Sequence, residues 1–190
     1  SYNAFTSQEY TGYYAKAQPQ HLDKIIDLVS DLYLDPTFDS NEIEKEKGVI
    51  IEEINMYEDL PQKKAVELLD EVMYGDQPAG WPVGGKKEII RKLKKEDFLK
   101  YRGEHYVAQA TTVVLTGNFE ENEAVKKLAD TFQAMPAAKK FGKIETVEKQ
   151  DEPQILVQYK SSDQTHLVIG CRTFNLFKER KTWSFFISMI

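Results

Sequence analysis

Cysteine, histidine and long apolar runs are scarce in this 190-residue chain, and each scarcity excludes something. Cys171 is the single cysteine, so neither an internal disulfide framework nor a cysteine-clustered zinc site is available. The histidines are His21, His105 and His166, and none sits in a His-x-x-Glu-His or His-Glu-x-x-His string. Each reads as a surface or structural residue. No stretch reaches the ~20 apolar residues that a membrane helix needs, and no basic leader with an apolar core opens the chain. A soluble, cytoplasmic chain is the expectation, although composition leaves the compartment open. Basic excess is missing too: 25 Lys+Arg against 31 Asp+Glu leave a net charge of −6. That balance argues against nucleic acid or a membrane surface as partner.

What is present is enough for a core. Hydrophobic residues make up 41% and aromatics 12%, which excludes wholesale disorder. The chain opens at Ser1 without a methionine and closes on the apolar run 183–190, WSFFISMI. Both ends read as cuts through a longer protein. The final segment, with Leu176, Trp183, Phe186, Ile187 and Ile190 near helical spacing, is expected to fold back or to make a homo-oligomer.

Periodicity divides the rest. Residues 3–16 alternate through Phe5, Tyr10, Tyr13 and Tyr14, the pattern of one or two strands. Leu22, Ile25, Ile26, Val29 and Leu32 predict a helix that Pro36 ends. A second helix is expected after Asp39 and Ser40, over residues 41–58. A third starts at Pro61 and carries Ala65, Leu68, Leu69 and Val72. Residues 75–85 hold four of the ten glycines and read as a loop. Gly84, Gly85 and Lys86 do not complete a phosphate-binding loop, and the Lys/Arg cluster over 86–95 reads as a solvated helical face.

Short helices are expected at 86–93 and 95–105, a buried strand at 111–116 and an amphipathic helix at 118–133. A polar linker over 135–152 precedes two strands, 154–159 and 166–174, and a helix start at 176–190. The mixture is α+β, an antiparallel sheet with helices packed on one face. The domain division expected is 1–135, linker 136–152, and the opening of a second domain at 153–190.

The helix over 42–57 is the most informative segment. At about 100° per residue, Ile43, Ile50, Ile54 and Tyr57 cluster, with Val49 and Met56 on one flank. Glu46 and Glu53 project between them, whereas Glu52 lies opposite. Carboxylates on a buried face require partners, because an unpaired buried charge is costly or changes its protonation. Spacing alone leaves two readings open. Either both acids pair with nearby Lys or Arg, or they are a metal ligand and an outer acid.

The segments SYNAFTSQEYTGYY (1–14), DPTFD (35–39), EKGVIIEEINMY (46–57), GWPVG (80–84), VVLTGNF (113–119) and DQTHLVIG (163–170) together resemble the M16 metallopeptidases. This is the family of pitrilysin, insulinase and the mitochondrial processing peptidase. The resemblance runs through essentially the whole chain in the family's order.

It implies a zinc-dependent endopeptidase acting on extended peptides or unfolded polypeptide segments. In the family, two histidines and a water-activating glutamate come from a His-x-x-Glu-His motif. A later Glu completes the zinc shell, with another acid seven residues before it. Carried over, Glu53 matches the metal ligand and Glu46 the preceding catalytic-site acid. Asn3, Ala4, Phe5 and Thr6 match the edge strand that binds substrate backbone to backbone, Ala4 giving access and Phe5 lining a side-chain pocket. The motif itself is absent from this sequence, and catalytic zinc generally needs three protein ligands. The chain alone is therefore expected to be inactive and not to retain zinc. The competing reading is a non-catalytic recognition or scaffolding subunit, against which the retention of Glu46 and Glu53 counts.

Overall fold

The N-terminal alternation folds as a hairpin. β1 (Tyr2–Thr6) pairs antiparallel with β2 (Thr11–Ala15), in the register Asn3 to Tyr14, Ala4 to Tyr13 and Phe5 to Gly12. The computed structural model describes residues 1–161 and 163–172, and among these the sheet has these two strands. Helices α1 (Leu22–Leu34), α2 (Ser40–Glu58), α3 (Pro61–Tyr74), α4 (Lys87–Ile90), α5 (Lys95–His105) and α6 (Glu121–Phe132) follow. The architecture is α+β.

The chain divides into two compact units. One joins Ser1–Tyr57 with Pro82–Glu145; the other joins Glu58–Trp81 with the described residues from Thr146 onward. In the first unit Ile26 on α1, Ile90 on α4, Val107 and Ala124 on α6 are buried. Tyr33 on α1 binds this core together, its ring 5.8 Å from Tyr13 and 5.0 Å from Tyr106. The Tyr13 face of the hairpin is thus the one that α1 covers. Arg102 on α5 donates to the carbonyls of Tyr33 and Leu34, satisfying the C-terminal end of α1. In the second unit Gly170 lies against Leu69 and Met73 of α3, and Lys160 pairs with Asp59 at 2.7 Å.

Helix boundaries follow local chemistry. The Asp39 carboxylate accepts from the backbone N–H of Asn41 (2.9 Å) and Glu42 (3.1 Å), which starts α2. Pro61 opens α3, and Gly75, at φ 67°, terminates it with its N–H on the Glu71 carbonyl at 2.8 Å.

Three strand expectations fail among the described residues. Residues 111–116 belong to no strand, and Val114 is 75% exposed rather than buried. Residues 154–159 and 166–172 likewise lack regular structure, with Ile155, Tyr159, Leu167 and Ile169 exposed. The physical reason is common to all three: ladder hydrogen bonds come from a neighbouring strand, which β-prone residues cannot themselves supply. Residues 173 and 174, and the helix expected over 176–190, lie outside the described residues.

Candidate substrate strand and acidic helix

Asn3, Ala4, Phe5 and Thr6 are all exposed on β1. The hydrogen-bond pattern fixes which backbone groups are taken. Ser1 and Lys16 exchange both bonds, at 2.9 and 2.7 Å, and the Ser7 N–H donates to Tyr10 O at 2.9 Å. Antiparallel ladders alternate, so Asn3 and Phe5 turn their backbone toward β2. Tyr2, Ala4 and Thr6 turn theirs to the open edge. The Ala4 N–H is met there by the Asn3 side-chain oxygen at 2.8 Å, a local bond that an incoming acceptor can replace.

The hairpin face opposite Tyr13 carries aromatics. The Phe5 ring meets Tyr10 edge-on at 5.8 Å and Tyr14 at 6.3 Å. Sequence reading placed Phe5 in such a role but gave none to Gly12, Tyr10 or Tyr14. Only the register puts these residues under and beside the ring.

α2 corrects the expected helical projection. The inward face is Ile43, Lys47, Ile50, Ile51 and Ile54, with Lys47 only 8% exposed, while Val49 and Met56 are about half exposed. The apolar arc is therefore centred further from Glu46 and Glu53, and both acids lie exposed on its flank. They need no buried partner, because water solvates them. Seven residues apart, they stand about 10 Å from each other along one side of the helix. Glu52 is exposed as well, on the far side. The buried cation is Lys47, whose ammonium is held by Glu44 at 2.5 Å.

His105 stacks on Tyr101 at 4.2 Å and lies 5.0 Å from Phe141, and His21 precedes α1 as an exposed residue. Among the described residues no three His, Cys, Asp or Glu side chains converge to hold a metal. The described donors therefore do not by themselves make up a complete zinc site, to which Glu53 could bring a single carboxylate.

A groove of about 710 Å³, lined by Tyr13, Tyr33, Phe38, Phe98, Tyr101 and Tyr106, was not legible in the sequence. Its aromatics come from several elements and share no spacing. Tyr106 is half-buried there, its hydroxyl 3.2 Å from that of Tyr13. Burial first, then that hydrogen bond, pushes its phenol well above the ordinary tyrosine range.

Residues 1–87 match the model of the insulinase family, peptidase family M16, and residues 92–190 match that of the peptidase M16 inactive domain. An uncharacterized zinc protease of Bacillus subtilis, YmxG, is 33% identical over 178 residues, covering 94% of this chain and 43% of its own length. An uncharacterized zinc protease of Mycobacterium leprae, ML0855, is 28% identical, covering 90% of this chain and 39% of its own. The chain thus spans less than half the length of either relative. Among solved structures, the periplasmic protease PqqL of Escherichia coli superposes with a TM-score of 0.66 at 20% identity, over 79% of this chain and 17% of that one. A peptidase M16 inactive domain from Pseudomonas fluorescens gives 0.67 at 17%, over 76% and 36%. The fold is shared with both. With a family model matched over more than half of its residues, the chain belongs to peptidase family M16.

Proposed function

We propose that this chain is part of a zinc-dependent endopeptidase that cleaves extended peptides or unfolded polypeptide segments. Residues Asn3–Thr6 of β1 take the substrate as an added strand. Glu53 supplies one metal ligand, and Glu46 orients or tunes the site from behind it. The remaining ligands come from outside the described residues, so the chain alone neither retains stoichiometric zinc nor cleaves. Relatives named zinc proteases support the reaction class.

The observation that carries the reading is the open edge of β1. Tyr2, Ala4 and Thr6 direct backbone groups away from β2, and main-chain pairing at such an edge recognises peptide backbone without regard to most side chains. Ala4→Pro tests it. Proline removes an N–H that β2 does not use, and an edge strand tolerates the loss. The hairpin should persist, while binding of a fluorescent extended peptide, followed by anisotropy, should weaken at least ~tenfold, on the scale of one or two lost hydrogen bonds. Unchanged peptide affinity would remove β1 from the substrate site.

A further inference from the structure

The register that makes β1 an open edge also sets Phe5 directly across from Gly12. A Cβ built on Gly12 would lie 2.6 Å from Cε1 and 3.1 Å from Cε2 of that ring, and nearer still to Cζ. The ring thus occupies the space that any other residue's side chain would fill. Gly12 has no need to be glycine for its backbone, since it lies outside the left-handed region where Gly75, Gly85 and Gly117 are found. Glycine also weakens a strand interior. Its lack of a side chain is the property the fold uses.

Tyr10 and Tyr14 hold the ring from two further sides, at interplanar angles of 80° and 45°. All three aromatics remain open to solvent, with Phe5 47%, Tyr10 64% and Tyr14 49% exposed. They stand on the hairpin face away from α1. A strand added to β1 places every second side chain on that face, beside Phe5.

We propose that Gly12 is a specificity-determining position, seating the tip of the Phe5 ring against β2 so that Phe5, Tyr10 and Tyr14 form a shelf for large apolar side chains of the bound peptide. The inference rests on the reading of β1 as the substrate strand. Gly12 touches no substrate atom; it is a positioning residue that acts through Phe5. Because only the tip of the ring stands in the way, Gly12→Ala displaces the ring rather than the backbone, and the hairpin survives.

The test uses this chain and two labelled extended peptides, identical except for Phe or Ala at alternate positions, with binding read by anisotropy. The unsubstituted chain should prefer the Phe peptide roughly tenfold, the scale of burying one aromatic side chain against others. Gly12→Ala should leave affinity for the Ala peptide within about twofold and cut the preference to about twofold or less, on the same scale. Phe5→Ala should abolish the preference, and adding Gly12→Ala to it should change nothing more.

A second readout needs no peptide. The Gly12 Hα resonances should be displaced upfield by the Phe5 ring current and return to ordinary values in Phe5→Ala. An intact preference in a folded Gly12→Ala variant, or undisplaced Gly12 resonances, would overturn the proposal while leaving strand docking in place. Failure of both peptides to bind the unsubstituted chain, with the ring current present, would overturn strand docking itself and the selectivity with it.

Discussion

Tyr106 illustrates how a single side chain reports its surroundings. Its phenol is half-buried among Tyr13, Tyr33 and Tyr101, so ionisation would place a charge in a poorly solvated site, and the neutral form is favoured. Folded chain then holds this proton at pH values where the unfolded chain, with an ordinary tyrosine near ~10, has released it. The resulting stability is fully present below that value and is lost as pH rises through the higher folded one. Tyr106→Phe removes the hydroxyl pair with Tyr13 and should cost about 0.5–1.5 kcal/mol at neutral pH. That deficit should shrink above pH ~10, because the variant has no phenol to ionise. Thermal unfolding of both proteins across the alkaline range checks it, and a deficit independent of pH would count against a phenol held neutral.

At the scale of the element, α2 shows what helical periodicity can and cannot say. Its start at the Asp39 cap and its length follow from local residues. Which side faces inward did not, because Lys47 and Ile51 pack against the fold while Val49 and Met56 face water. Even so, Glu46 and Glu53 share one flank and Glu52 lies away from it, so their roles remain separable by substitution. In the protein that carries this chain together with a His-x-x-Glu-His segment, Glu53→Gln should abolish zinc retention and peptide cleavage together. Glu46→Gln should keep most of the zinc and lower cleavage ~10–100-fold, as loss of an orienting partner does. Glu52→Gln should stay within about 0.5 kcal/mol of wild type, as expected of a surface change. Metal analysis after gel filtration, paired with cleavage rates, ranks the three. If Glu52→Gln proved the most damaging, the assigned ligand would be wrong.

For the whole molecule the notable feature is apolar surface on segments without regular structure. Val113 and Val114 in one unit, and Ile155, Val157, Leu167 and Ile169 in the other, are exposed on backbone that belongs to no sheet. Such segments are templates for pairing with another chain. Sedimentation velocity over a range of concentrations should therefore show reversible association, and Val114→Lys with Ile155→Lys should reduce it. A concentration-independent monomer in the unsubstituted chain would contradict this.

The sequence by itself determined the local elements. Caps, prolines and the ~3.6-residue repeat placed α1, α2, α3 and α6, because a helix closes its hydrogen bonds within its own segment. Period-2 alternation around a short turn placed β1 and β2, neighbours along the chain. The motif segments were legible as well, and with them the family, while the roles given to Glu46, Glu53 and Asn3–Thr6 are proposals built on that resemblance. Tertiary structure alone decided the rest. It decided that residues 111–116 pair with no strand among those described, that Lys47 turns inward, and that the Phe5 ring rests on Gly12. Each depends on what a distant segment or an opposing strand puts in the adjoining space, and no periodicity within one segment carries that information.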